Sequence, residues 1–385
     1  MRTEESHLPA RGSRRRAWVI AFLLAGLSPG AAWCDSVFTG TFRLVPPLFP
    51  TATENPASSD SDSGTETAAP AEEEKPGGEA QTAPAVARPP LFGGWTTVVF
   101  LGGSFVATPI AGYLQWWKRS ESEPWHFANE RWFQADTYAG GADKASHFYY
   151  GTLGEEALTA AYQKLGHPPD QARLLAFLNT ALAAVVVEVG DGFTSYGFSW
   201  EDATIGTAGA AVSALVGAHD LRDTIGFRFG FLPTAEPLPS SGPPHAGSPS
   251  SPDLWQIQPL ALQSAQIQPG YTYEIYTIDL KVAGFLPRVH VRPGIGRFLL
   301  LSATYNTRGY TEAPPELRQR NIGIEIGLNL AEVCRSLGLS EHTWWGQSII
   351  QFFEHFRVPY SAWGVRYDLN SRQWHGPDFN DKYNP

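Results

Sequence analysis

The chain is poor in sulfur. Its 385 residues include two cysteines, Cys34 and Cys334, and one methionine. A single possible bridge makes no disulfide framework, so burial and hydrogen bonding must hold the fold. Charge is also sparse. Asp, Glu, Lys and Arg make up 17% of the residues, with a net charge of -10. No Lys/Arg stripe with interleaved aromatics occurs, which together with the acidic balance argues against a nucleic-acid partner. Familiar catalytic patterns are missing too. There is no Gly-x-Ser-x-Gly, no P-loop, and no Gly-x-Gly-x-x-Gly following a strand. Tryptophan, by contrast, is plentiful at 13 residues. Amphipathic rings of this kind concentrate at interfaces, including membrane headgroup belts.

The first 34 residues read as an export signal. Arg11, Arg14, Arg15 and Arg16 precede an apolar core over 17–27, and small residues follow. A retained anchor helix is the alternative. Cys34 invites a lipoprotein reading, although Trp33 stands where a small residue is expected. Residues 35–90 are expected to be a disordered linker. Within them, 51–90 carry eight carboxylates against Lys75 and Arg88, with almost no large apolar residues to offset chain entropy.

Residues 95–117 form an uncharged run ended by Lys118 and Arg119, long enough to cross a bilayer as a helix. A soluble core helix passes the same test. Three more helices are predicted over 144–164, over 170–189, and onward from Asp202. Their Ala/Gly content permits close helix–helix approach, so 91–230 is expected to be a four-helix, small-residue bundle. Residues 231–252 read as a Pro/Ser/Gly linker. The period then changes to two. Tyr276, Ile278, Leu280 and Val282 form one alternating run, and Ile322, Ile324, Ile326, Leu328 and Leu330 another. Weaker strand candidates lie over 255–262 and 298–305. Four or five strands are too few for a single-chain membrane barrel. A small antiparallel β domain over 253–385 is expected instead, covered by an amphipathic helix marked by Ile349, Phe353 and Phe356. The fold class is α+β.

Three islands of ionisable residues interrupt the helical half: Asp143-Lys144-x-x-His147-Phe148, then Glu188 and Asp191, then Gly197-Phe198-Ser199-Trp200-Glu201-Asp202. Charge in apolar surroundings is costly unless paired, hydrogen-bonded or metal-bound. Asp143 and Asp202 each have a helix N-cap reading. His147 lies one turn after Asp143 and can touch it, and Glu188 and Asp191 can share a helix face. Lys144 is either a solvated side chain or a partner for Glu188 or Asp191. Two roles are open for the set. It could be a polar network locking three helices. Or one histidine and three carboxylates could hold Zn, Mn or Mg, although no spacing such as His-x-x-x-His fixes a metal. In the second role His147, Glu188 and Asp191 are the candidate catalytic residues, and Asp143, Lys144 and Asp202 the candidate binding residues. The identity of any cofactor stays unknown.

These islands, in this order, resemble the YfiM-like predicted periplasmic lipoprotein family and, more distantly, VanZ-like membrane proteins. The resemblance covers roughly 90–230. It implies an exported, helical envelope domain and names no reaction. The short YfiM-like form has a second aspartate four residues after the position of Asp202, where this chain has Gly206. The expectation is a membrane-associated bacterial envelope protein, on the periplasmic side. Its partners would be membrane lipid or another envelope protein, and its role structural or interactive. The alternative is a metal-assisted hydrolase or transferase acting on lipid or cell-wall precursors.

Overall fold

The computed structural model describes residues 94–115, 117–232, 271, 274–292, 294–310 and 315–378. The expected signal, the 35–90 linker, Cys34 and the strand candidate at 255–262 lie outside these residues. Within them the architecture is mixed α/β, with seven helices and one seven-stranded sheet.

The helical half holds α1 (Trp95–Gln115), α2 (Ala142–Lys164), α3 (Pro169–Asp191) and α4 (Trp200–Ala218). Helix α1 packs on α3, and α2, α3 and α4 pack on one another. Leu158 and Tyr162 of α2 pack against Ala172, Leu175 and Ala176 of α3 in a dry core. Between α2 and α4 the backbones nearly touch. A Cβ on Gly209 would sit 2.1 Å from the Phe148 carbonyl oxygen, and one on Gly151 2.1 Å from that of Gly206. Only glycine permits this approach, in the manner of small-residue helix pairs.

Helix α1 turns Thr97, Ser104 and Thr108 inward. Thr97 meets His167 at 2.7 Å, and Ser104 donates to Asn179 at 3.0 Å. Val98, Val99, Phe105, Val106 and Ile110 are left exposed. Helix α3 exposes Leu174, Leu178, Leu182, Val185 and Val189, an apolar stripe at helical spacing. Both helices are long and apolar enough to cross a membrane.

The sheet is built from β1 (Ile225–Phe231), β2 (Glu274–Lys281), β3 (Leu299–Arg308), β4 (Gln319–Leu328), β5 (Phe356–Arg357), β6 (Ala362–Asp368) and β7 (Gln373–Asp378). Their order is β5-β1-β2-β3-β4-β6-β7, antiparallel except where β1 meets β5. Strand β1 was not expected, and the boundary drawn between 230 and 231 cuts it. Phe227, Phe229 and Phe231 alternate with Arg228 and Gly230, a strand period that composition alone had grouped with the helices. Helices α5 (Val282–Arg288), α6 (Leu330–Ser336) and α7 (Trp344–His355) fill the connections. Helix α7 is the amphipathic C-terminal helix, and Phe356 already belongs to β5.

Two sets of contacts fasten helices to sheet. Tyr149 and Leu153 of α2 pack with Phe229, Phe231 and Tyr276. Tyr305 donates to the Gly140 carbonyl at 2.5 Å and Tyr310 to that of Ala135 at 3.0 Å.

The sheet's two faces are inverted relative to a soluble sheet. One carries Arg228, Thr277, Asp279, Ser302, Thr304, Asn306, Arg308, Asn321, Glu325, Arg366 and Asp368, all buried. The other carries Ile278, Leu299, Leu301, Ile322, Ile324, Ile326, Leu328 and Trp363, all exposed.

Candidate functional site

The site forms where the starts of α2 and α4 meet the end of α3. A 3-10 turn, Tyr138–Gly141, leads into α2 through three left-handed residues, Ala139, Gly140 and Gly141. Gly141 occupies the N-cap position and provides no side chain, so Asp143 is not a cap. Its carboxylate points into the protein instead. Tyr271 donates to Asp143 Oδ1 at 2.5 Å, and Lys144 Nζ lies 3.2 Å from Oδ2. Asp202 is not a cap either. Ser199 takes that position on α4 and accepts from the Asp202 backbone N–H at 3.2 Å, which leaves the Asp202 carboxylate free to face Lys144 at 3.0 Å.

Lys144 is therefore neither solvated nor paired with Glu188 or Asp191. It is fully buried, and Asp143, Asp202 and Glu130 surround its ammonium. His147, one turn along α2, has Nε2 3.7 Å from Asp143 and Nδ1 3.9 Å from Glu188. These separations exceed direct hydrogen bonding and leave His147 in ion-pair range of both carboxylates when it is protonated. Glu188 is buried and accepts from the Ser199 backbone N–H at 3.1 Å. Asp191 turns to Trp117, whose indole donates to it at 2.5 Å. The structure thus gathers Asp143, Lys144, His147, Glu188 and Asp202, while Asp191 secures the connector after α1.

Sequence reasoning missed Glu130, Tyr138 and Tyr196, and did not bring Tyr271 to this site. Glu130 lies in Asn129-Glu130-Arg131-Trp132, part of the connector between α1 and α2. A lone acid beside tryptophan was the available signal. Tyr271 and Tyr138 meet edge to face, with ring centroids 5.9 Å apart. A polar cavity of about 330 Å³ lies against Glu130, lined also by Asn129, Arg131, Tyr138 and Tyr196.

The charges are unequally compensated. Burial opposes ionisation of Asp143, yet His147 and Lys144 outweigh it and hold the carboxyl below its usual range. Burial also opposes the Lys144 charge, but Asp143, Asp202 and Glu130 keep the amine protonated well above its usual range. Burial, then Asp143 and Asp202, pushes Glu130 up to about 8. Burial and the Asp143 charge push Asp202 up to about 7, against the pull of Lys144. Two of the three acids round the ammonium are thus held above the ordinary carboxylate range by burial and by their neighbouring acids. The arrangement also resembles a metal half-shell, since one ligand atom each from Asp143, His147 and Asp202 lies within 4.8 Å of the others.

Residues 129–218 match the DUF2279 family model, a predicted periplasmic lipoprotein. The DUF2279 segment runs from the residue before Glu130 to the end of α4, and so contains every site residue except Tyr271. The match marks the chain as an exported envelope protein, and the apolar helices α1 and α3 fit membrane association. No curated protein and no solved structure matches the chain.

Proposed function

We propose that this is a membrane-associated structural or interaction protein of the cell envelope, with its DUF2279 segment organised round the Lys144 centre. One observation carries the reading: an ammonium with no exposed surface stands where a bound cation would stand between Asp143 and Asp202. It ties the start of α2 to the start of α4 and to the connector bearing Glu130. The four helices act as one bundle, with the glycine contacts of α2 and α4 at its centre. Lipid and neighbouring envelope proteins are the partners that its location and exposed apolar stripes support.

The alternative is a metal-assisted hydrolase or transferase acting on lipid or cell-wall precursors. The geometry that favours it is the Asp143, His147 and Asp202 half-shell, with the cavity at Glu130 as a place for substrate. Metal analysis of the detergent-purified full chain separates the two. The structural reading expects no stoichiometric divalent metal. One metal per chain, lost on His147→Ala, would overturn it in favour of the enzyme.

A further inference from the structure

We propose that the outer face of the sheet, centred on β3 and β4, seats against the hydrocarbon of a lipid bilayer. This deepens the membrane-associated reading by naming the surface, and its test is local to that surface.

The first observation is curvature. Arg357 of β5 and Glu325 of β4 form a fully buried, two-pronged ion pair at 2.8 and 3.1 Å. Strands β1, β2 and β3 lie between them in the sheet. In a flat sheet β5 and β4 would be roughly 19 Å apart, at about 4.8 Å per strand. That is more than the two side chains can bridge, so the sheet curls with its polar face inside.

The second is the inversion of polarity. An antiparallel sheet with one face in water normally turns the apolar face to the core. Here the enclosed face holds the Arg228–Asp279 pair, with Ser302 also donating to Asp279, beside the Arg357–Glu325 pair. The exposed face carries isoleucine and leucine. Apolar outside and polar inside is the pattern of sheets surrounded by lipid.

The third is the uncharged band on the outer face. Its ionisable residues, Glu274 and Arg320, stand at strand ends on the side held by the helical half. From Ile322 to Leu328, and from Leu299 to Ala303, there is none. Strands β3 and β4 have ten residues each. The ionisable-free stretch of β4, 322–328, is roughly 24 Å along the strand at about 3.4 Å per residue, or about 17 Å of height at a tilt near 45°, enough to enter the hydrocarbon without crossing the whole 25 Å of a membrane-facing band. Tyr367 packs on Trp374 at the level of Ile322, and Trp363 lies at the level of Ile326, so aromatic rings flank the Ile324 row. Both β3 and β4 have a neighbouring strand on each side, so no open backbone edge faces lipid at the centre of the band. Helix α2 covers the β1 side of this face, packing on Phe227, Phe229, Phe231 and Tyr276.

A site-specific probe tests this. The full chain carrying Cys34→Ser, Cys334→Ser and Ile324→Cys is labelled with an environment-sensitive fluorophore. It is then reconstituted with phosphatidylethanolamine and phosphatidylglycerol vesicles. Glu316→Cys, in the exposed turn between β3 and β4, is the control. Lipids brominated in their tails should quench the label at 324 and not at 316, and aqueous iodide should do the reverse. As a second measurement in an otherwise native chain, Trp363→Phe should remove a share of the bromolipid-quenched tryptophan signal. Iodide access at 324 equal to that at 316 would overturn the proposal. Shielding at 324 that needs high protein concentration and no lipid would overturn it in favour of a second copy of the chain. Loss of the 324 signals with helix-driven vesicle binding retained would leave membrane association standing and remove the sheet's part in it.

Discussion

Lys144 sets the energetics of the site. Replacing it with methionine keeps the volume but leaves Asp143, Asp202 and Glu130 facing one another without a counter-charge. Removing one partner from a buried ionic group costs about 3–5 kcal/mol. Lys144→Met should therefore lower the urea midpoint sharply, and Lys144→Met combined with Asp143→Asn should recover part of the loss. The pH response has a definite sign. Glu130 and Asp202 hold protons to about 8 and about 7 in the folded chain, against ordinary values of 4.5 and 3.8. The folded chain binds more protons through that interval, so their contribution to stability falls as pH rises and flattens above it. Glu354 acts oppositely. Burial disfavours its charge, but Lys281 and Arg335 win and bring it down to about 2, so its stabilisation fades as pH drops below 4.5. Melting temperature should decline from pH 5.5 to pH 8, and Glu130→Gln should shrink that decline. Much of this was legible in the sequence as isolated charges in apolar helix, which must find company. Their actual partners were not. The roles of Lys144 and Glu130 depend on the connector folding back over α2, and spacing along the chain carries no sign of that.

At the scale of elements, the helix pairing rests on glycine. Gly209→Val places branched carbons inside the Phe148 carbonyl and must push α2 from α4. Overpacking of this kind costs roughly 1–3 kcal/mol. A lower unfolding midpoint, with Asp202 and Lys144 drawn apart, is the expected result. Gly166→Ala, where no atom crowds the position but φ is positive, should cost less. The helices of this half could be read from their apolar, small-residue runs, which lie in continuous stretches of the chain. The sheet was harder to read. The alternation in Ile322–Leu328 gave its strand, but alternation is silent on which set faces inward. The structure turns the polar set inward. Strand β1 was hidden because its neighbours in sequence are helical and its partners β2 and β5 are far along the chain.

For the whole molecule, helices and sheet share apolar outer surfaces. The stripes on α1 and α3 predict that the protein stays with the membrane fraction through a carbonate wash. Complete release would make α1 and α3 ordinary core helices. The curled sheet should depend on its internal pair. Arg357→Met removes the two-pronged, fully buried partner of Glu325, at about 3–5 kcal/mol. Hydrogen exchange should then rise in β4 and β5 while α2 and α4 stay protected.

Strand β5 adds a consequence of its own. It is two residues long, Phe356 and Arg357, and it lies parallel to Phe229 and Gly230 of β1. More than a hundred residues separate the two partners, so this seam of the sheet closes across a very long loop. Such closures come late and slowly. During synthesis and export, the helices that hold the Lys144 centre can assemble from local contacts while β1 waits, one edge unpaired, for the chain to finish. For that interval the protein would need shielding from its neighbours, and a chain truncated before residue 356 would never leave it.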